Sequence, residues 1–308
     1  MSALSSTKVL SQSLTDVSVR EGSQQVNDLR LADVHTKVGL ALQSIRIGVK
    51  KIELTAFAPG SWFADADELA DLAASQVPDD VVLRALYFNN PGLARLIEHP
   101  RIAREGIFHT AATVKYRAKN FNQHSVSDML TRMDDAIAGF KRRELCFDTL
   151  SLSTAWGEES EAATVENVVD FVRMLRVHSS EAGLPLKAVS LADTVANDTP
   201  DSIDRLIRGI RTDWPEAVLR LHLHPAHELA RECVEAALDA GVDQWEAAWG
   251  GLGGSPLADN SSGNLDIRWL VKVYEDRHMD HGFDVEEIPR IIQYLRQHTR
   301  REIADIPL

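Results

Sequence analysis

Short runs of apolar and β-branched residues recur along the chain, each followed by a longer stretch whose apolar positions return every three or four residues. The short runs predict strands over 15–19, 51–55, 82–87, 106–111, 146–152, 187–191, 218–223 and 244–248. Between them, 31–47, 126–142, 164–181, 200–211 and 227–240 carry helical spacing, with start signals at Ser127, Thr164 and Thr199-Pro200. Strands that alternate strictly with helices must run parallel, because only a crossover of helical length returns the chain to the same direction. Eight such units imply a (β/α)8 TIM barrel of about 250 residues. The competing architecture is an open doubly wound sheet. It is disfavoured because no Gly-x-Gly-x-x-Gly follows the first strand and because polar residues are spread over most strand ends.

Beyond the eighth strand, Ile288, Ile291, Ile292, Leu295 and His298 have near-helical spacing within 284–302. They predict one further helix packed on the barrel. The expected division is a catalytic barrel over 1–275 and a helical extension over 276–308, with that last helix also a candidate homodimer face.

Composition restricts the setting. A chain of 308 residues, 44% hydrophobic and 26% charged, suits one large α/β barrel or two small domains. A net charge of −13 argues against nucleic acid or an anionic membrane as a main partner. Cys146 and Cys233 stand far apart with no Cys-x-x-Cys pattern, which fits a reducing compartment. Residues 1–13 have no apolar signal core, and no later run approaches the roughly 20 apolar residues of a membrane span. The expected location is the cytoplasm.

Barrels of this kind carry their chemistry at the C-terminal strand ends. Those ends read Arg20, Glu21 and Gln24; Glu53 and Thr55; Asn89 and Asn90; Thr113; Ser153 and Trp156; Asp193 and Thr194; His222 and His224; and a glycine-rich loop over 250–254. So dense a polar ring predicts an active site. In the alternating run over 218–224, His222 and His224 emerge on one face if the segment is a strand. Two neutral imidazoles with oxygen ligands from Glu21 and Asn264 make a hard set, suited to Mg²⁺ or Mn²⁺ more than to a structural Zn²⁺. The same histidines also suit a polar cavity wall without metal, and the pattern alone leaves both open. The alternative for Arg20 with Glu21 or Glu53 is a buried ion pair bracing the barrel mouth.

Several motifs, in order, resemble one family. Val19-Arg20-Glu21-Gly22-Ser23-Gln24, Ile52-Glu53-Leu54-Thr55-Ala56-Phe57, Lys119-Asn120-Phe121-Asn122, Ser190-Leu191-Ala192-Asp193-Thr194 and His222-Leu223-His224 are similar to segments of 3-hydroxy-3-methylglutaryl-CoA lyases. So are Gly251-Leu252-Gly253-Gly254-Ser255-Pro256 and the Ser262-Gly263-Asn264-Leu265 that follows. The resemblance implies a metal-dependent carbon–carbon lyase of the wider lyase and Claisen-synthase barrel group. It implies catalytic roles for Arg20, Glu53, Asp193, His222 and Ser255, and substrate contacts from Gln24, Thr55, Lys119, Thr194, Gly253 and Gly254. Its metal ligands would be Glu21, His222, His224 and Asn264, and its substrate a small acyl thioester, with acyl-CoA expected. Lys115, Arg117 and Lys119, clustered after the fourth strand, are the candidates for CoA phosphates.

Three positions depart from the family. Glu21 stands where the lyase has Asp, Ser255 where it has a loop cysteine, and Pro225-Ala226 where Asp-Thr follows the histidine pair. A hydroxyl is a far weaker acid than a thiol, so Ser255 cannot take over a cysteine's proton transfer without loss. Two alternatives therefore stand beside the lyase: a Claisen-condensing acyltransferase of the isopropylmalate or homocitrate synthase type, and a barrel that binds a metabolite without turnover.

Overall fold

The computed structural model describes residues 9–58, 60–254 and 263–308. It contains eight parallel strands: β1 (Leu14–Asp16), β2 (Lys51–Phe57), β3 (Val82–Tyr87), β4 (Gly106–Ala111), β5 (Phe147–Ser153), β6 (Ala188–Ala192), β7 (Val218–His222) and β8 (Gln244–Ala247). Their hydrogen-bonded order is β3-β2-β1-β8-β7-β6-β5-β4, a nearly closed barrel with helices between the strands. The expected TIM barrel is the fold observed.

Outward-facing residues such as Leu83, Leu150, Val189, Leu219 and Leu221 are buried beneath the helices. Inward-facing residues are polar to an unusual degree for a parallel barrel, whose strands normally read as near-continuous apolar runs. Partners across a parallel ladder point the same way. The register pairs Glu53 with Arg84, Ser190 with Arg220, and His222 with Glu246, so the interior receives charged and hydroxyl side chains as a connected set.

The helices begin where short polar side chains can accept an orphan N–H. Asp33 caps Val34–Ile47 by accepting from Thr36 N at 2.7 Å, and Thr164 caps Val165–Glu181 by accepting from Asn167 N at 3.2 Å. Thr199 and Ser202 form a capping box before Pro200–Asp213. One start signal moves: Ser125, not Ser127, caps Val126–Arg142, because its oxygen faces Asp128 N at 3.0 Å. The C-terminal helix is present as Ile288–His298. It buries Ile288, Ile291, Ile292 and Leu295, and Tyr294 donates to Thr36 O at 2.9 Å on the helix after β1. The apolar face that suggested a dimer contact is thus directed at the barrel itself. No helix among the described residues is long and apolar enough to cross a membrane.

The ladder is interrupted between β3 and β4, where a tyrosine takes over. The Tyr87 hydroxyl donates to Glu105 O and accepts from Ile107 N, both at 2.7 Å. Tyr87→Phe should therefore leave a backbone donor and acceptor unmet at the seam, destabilising the protein by about 1–3 kcal/mol. A urea midpoint unchanged from wild type would show that the seam does not depend on this hydroxyl.

Candidate active site

The first strand ends earlier than its apolar pattern suggests. Ser18 N donates to Asp16 Oδ1 at 2.8 Å and Ser18 Oγ also binds that oxygen, which turns the chain out of β1. Residues Ser18–Gly22 then form a short helical turn instead of continuing the expected strand to residue 19. The turn sets Arg20 and Glu21 side by side over the barrel mouth.

Beneath them lies a cavity of about 370 Å³. The Arg20 guanidinium donates through Nε to Glu53 Oε1 at 2.7 Å and through Nη1 to Glu21 Oε1. Burial works against the Arg20 charge, but Glu21 and Glu53 more than offset it and raise its pKa. Burial alone would raise the Glu21 carboxyl. Arg20, His222 and His224 outweigh it and hold that carboxyl down at about 2, so Glu21 is ionised.

The two imidazoles are adjacent, with ring centres 5.1 Å apart. His222 Nδ1 lies 3.2 Å from Glu246 Oε2, while its Nε2 lies 3.7 Å from Glu21 Oε1. Burial opposes protonation of His222, yet Glu246 and Glu21 raise its pKa. His224 is held down at about 3 by burial and by His222, which keeps it neutral.

Asn264 reaches the same place from the loop after β8. Its Nδ2 donates to Leu252 O at 2.6 Å and to Glu21 Oε2 at 3.4 Å, and its Oδ1 is buried with no hydrogen-bond partner among the described residues. The loop can approach this closely because of Gly253, whose φ is +81°. A Cβ there would sit 2.4 Å from Glu21 Cβ and 2.7 Å from Asn264 Nδ2, which no L side chain tolerates. Asp28 and Arg301 clasp the loop: Gly253 N donates to Asp28 Oδ2 at 2.7 Å, and Arg301 Nη1 donates to Gly253 O at 3.1 Å.

An ionised carboxylate, two imidazoles and an unengaged amide oxygen form the kind of mixed N/O donor set that holds a hard divalent cation. Among the described residues, no three His, Cys, Asp or Glu side chains already converge as a cation requires, since Glu21 is turned toward Arg20. Glu246 accepts at His222 Nδ1 and leaves Nε2 facing Glu21. That is the carboxylate–imidazole relation that orients metal-ligating histidines.

Of the strand-end and loop residues singled out from sequence, Arg20, Glu21, Gln24, Glu53, Ser153, Thr194, His222, His224 and Gly254 line the cavity. Gly253 and Asn264 back Glu21. Asp193 is fully buried and does not line the cavity; its Oδ1 accepts from Asn197 N at 2.8 Å. Thr55 is likewise buried outside the lining, and Lys119 is exposed on the helix Val114–Phe121, whose Asn120 and Phe121 face the cavity instead. Ser255 lies outside the described residues. Asn89 serves as a helix cap, accepting from Gly92 N at 2.9 Å. The basic cluster does not hold together: Arg117 is buried, stacks over Phe171 at 5.3 Å and donates to Ala111 O, so only Lys115 and Lys119 remain exposed.

The structure adds lining residues that strand ends do not reveal, among them Arg84, His109, Ser151, Ser190, Arg220 and Glu246. All sit within strands. The signal for them was a polar residue in the middle of a buried parallel strand, as in Val82-Leu83-Arg84-Ala85-Leu86 and Val218-Leu219-Arg220-Leu221, where only an inward direction accommodates it.

Residues 12–295 match the HMGL-like family. The chain is 26% identical over 274 residues to a cytoplasmic 3-hydroxy-3-methylglutaryl-CoA lyase of Danio rerio, covering 89% of this chain and 77% of that one. It is 23% identical over 285 residues to a hydroxymethylglutaryl-CoA lyase of Bacillus subtilis, covering 92% of each. Among solved structures it is similar to an HMG-CoA lyase from Acinetobacter baumannii in complex with coenzyme A and 3-methylmalate, with a TM-score of 0.79, 22% identity and coverage of 98% and 95%. At that identity the likeness is one of fold.

Behind the cavity wall, Asp193 is paired with Asp198. Burial raises the Asp193 carboxyl to about 6, and burial together with the charge of Asp193 raises Asp198 to about 8. The unfolded chain releases the Asp198 proton near the ordinary value of 3.8, whereas the fold retains it until about 8. Stability therefore falls as pH rises through that window and levels off above it. Asp198→Asn, which imitates the protonated form, should raise the melting temperature more at pH 8 than at pH 5. An equal shift at both pH values would mean that no proton is shared there.

Proposed function

The chain belongs to the HMGL-like family, and on that premise we propose that it is a divalent-metal-dependent carbon–carbon lyase of the hydroxymethylglutaryl-CoA lyase type. Its substrate in this reading is a 3-hydroxy-acyl thioester, with acyl-CoA as the expected carrier, and its products are acetyl-CoA and a keto acid. One observation carries the proposal: Arg20, locked by Glu53, shares a cavity with Glu21, His222 and His224, and Asn264, with its Oδ1 unengaged among the described residues, backs Glu21. The coenzyme A bound to the Acinetobacter baumannii lyase supports the choice of carrier.

Glu21, His222 through Nε2, His224 and Asn264 through Oδ1 would hold Mg²⁺ or Mn²⁺. When bound, such an ion lowers the pKa of the substrate's carbinol hydroxyl and fixes its orientation. His222 has one nitrogen engaged by Glu246, so it acts as a ligand or as the base that removes the carbinol proton, not both. Its place beside Glu21 favours the ligand role. Arg20 is the group suited to the thioester oxygen of the enolate that leaves when the carbon–carbon bond breaks. Its guanidinium is fixed by two carboxylates before any charge develops, so little reorganisation is needed at the transition state. The role for Ser255 rests on the sequence alone.

Two measurements test this. In Mn²⁺ titrations followed by electron paramagnetic resonance, Glu246→Gln should weaken binding about 10–100-fold by freeing the His222 ring. The double variant His222→Ala, His224→Ala should abolish it, and wild-type affinity in the double variant rules out this ligand set. In the second, release of acetyl-CoA from a 3-hydroxy-3-alkylglutaryl-CoA is followed in the Mn²⁺-loaded protein, and Arg20→Met should lower kcat about 10²–10³-fold. Condensation of acetyl-CoA with a 2-oxo acid, without any cleavage, would replace the lyase by the synthase reading.

A further inference from the structure

The cavity is furnished unevenly. Its charged groups for catalysis come from the arc β7, β8, β1 and β2, as His222, His224, Glu246, Arg20, Glu21 and Glu53. Strands β5 and β6 contribute only small side chains there, including Thr149, Ser151, Ser190 and Ala192. Arg84 and Arg220, which also reach the interior, are occupied: Arg84 Nη2 lies 2.7 Å from Glu105 Oε2, and Arg220 donates through Nε and Nη2 to Gln244 Oε1 at 3.0 and 2.8 Å.

Over β3 and β4 the wall is aromatic. Phe88 follows β3, His109 lies in β4, and Tyr116 and Phe121 come from the helix Val114–Phe121. The rings form a continuous surface, with centres 4.8 Å apart for Phe88 and His109, 6.4 Å for His109 and Phe121, and 6.1 Å for Tyr116 and Phe121. His109 adds no charge to this wall, because burial and the nearby Arg20 push its pKa down to about 4. Phe88 remains 45% exposed, an apolar surface that the described residues leave partly uncovered.

We propose that the thioester cleaved by this chain carries a bulky apolar group, an aryl ring or a branched alkyl chain, on its carbinol carbon. The inference rests on the lyase reading and goes beyond it in naming the substituent. The charged arc takes the reacting atoms, and the group on the carbinol carbon then has only the β3–β6 side to occupy. A methyl group fills on the order of 30 Å³, about the share of one water molecule. The small residues of β5 and β6 and the aromatic wall beside them leave room for something larger. Ser151 is the register partner of His109, so the smallest side chains stand beside the base of the wall.

The test ranks two probes, the CoA thioesters of 3-hydroxy-3-methylglutarate and 3-hydroxy-3-phenylglutarate, by calorimetric binding to the full Mn²⁺-loaded chain. Binding comes before turnover, so the ranking stands whether or not either thioester is cleaved. The phenyl compound should bind at least about tenfold tighter, as extra apolar contact in a fitted pocket provides. Ser151→Leu, which fills the space, and Phe121→Ala, which removes part of the wall, should each shrink that preference. Equal binding, or tighter binding of the methyl compound by wild type, overturns the inference and leaves the lyase reading intact. A phenyl preference without cleavage of either probe upholds the pocket and removes the lyase reading.

Discussion

Charge buried inside a barrel must be neutralised inside it. Arg20, Arg84 and Arg220 project into the interior, and Glu21, Glu53 and Glu246 answer them. Glu246 is the hub: it faces His222 Nδ1 at 3.2 Å, Arg220 at 3.5 Å and Arg84 at 3.8 Å. Taking one partner out of such a network leaves an uncompensated buried charge, a loss of roughly 3–5 kcal/mol. The strands could have filled this space with aliphatic side chains at less expense in desolvation. Retaining ions there is intelligible as preorganisation, since each charged group is held by another and none is free to relax.

The same network explains the layout around it. With Arg20 tied to Glu53 and His222 to Glu246, the mouth of the barrel is rigid, and the glycine loop must come to it. Gly253 permits that approach by lacking a Cβ, while Asp28 and Arg301 secure the loop from the other side. Arg301 comes from just beyond the helix Ile288–His298, so the segment after that helix helps to hold a wall of the site. The fold supplies the frame, and the chemistry is grafted onto its strand ends and loops.

Much of this was legible in the chain. Seven of the eight strands lie within about two residues of their expected spans, and the first begins where expected but ends early, because the outward-facing positions of a parallel strand lie beneath helices and have to be apolar. The histidine pair was recognisable from the period of two in 218–224, and its ring centres are 5.1 Å apart in the fold. The early end of β1 was not legible, since Asp16 and Ser18 make a local hydrogen bond that competes with the ladder at positions otherwise suited to a strand. Asp193 and Lys119 were singled out by motif, and a motif says nothing about which way a side chain faces. Asp193 turns into the wall toward Asn197, and Lys119 turns to solvent while its neighbours Asn120 and Phe121 line the cavity.

By itself the sequence determined the alternation of strands and helices, hence the barrel, and the residue types that family members carry at their strand ends. Those are properties of local spacing and composition, and neighbours in the chain are enough to set them. Which polar residues meet was decided only by the tertiary structure. Arg84 comes from β3, Arg220 from β7 and Glu246 from β8, and closure of the barrel brings both guanidinium groups to the one carboxylate, at 3.8 and 3.5 Å. The aromatic wall has the same origin: Phe88 after β3 and Phe121 on the helix after β4 both come within ring-contact distance of His109 at the seam of the barrel. Contacts of that kind depend on closing long loops into one geometry, a cooperative outcome that no local pattern records.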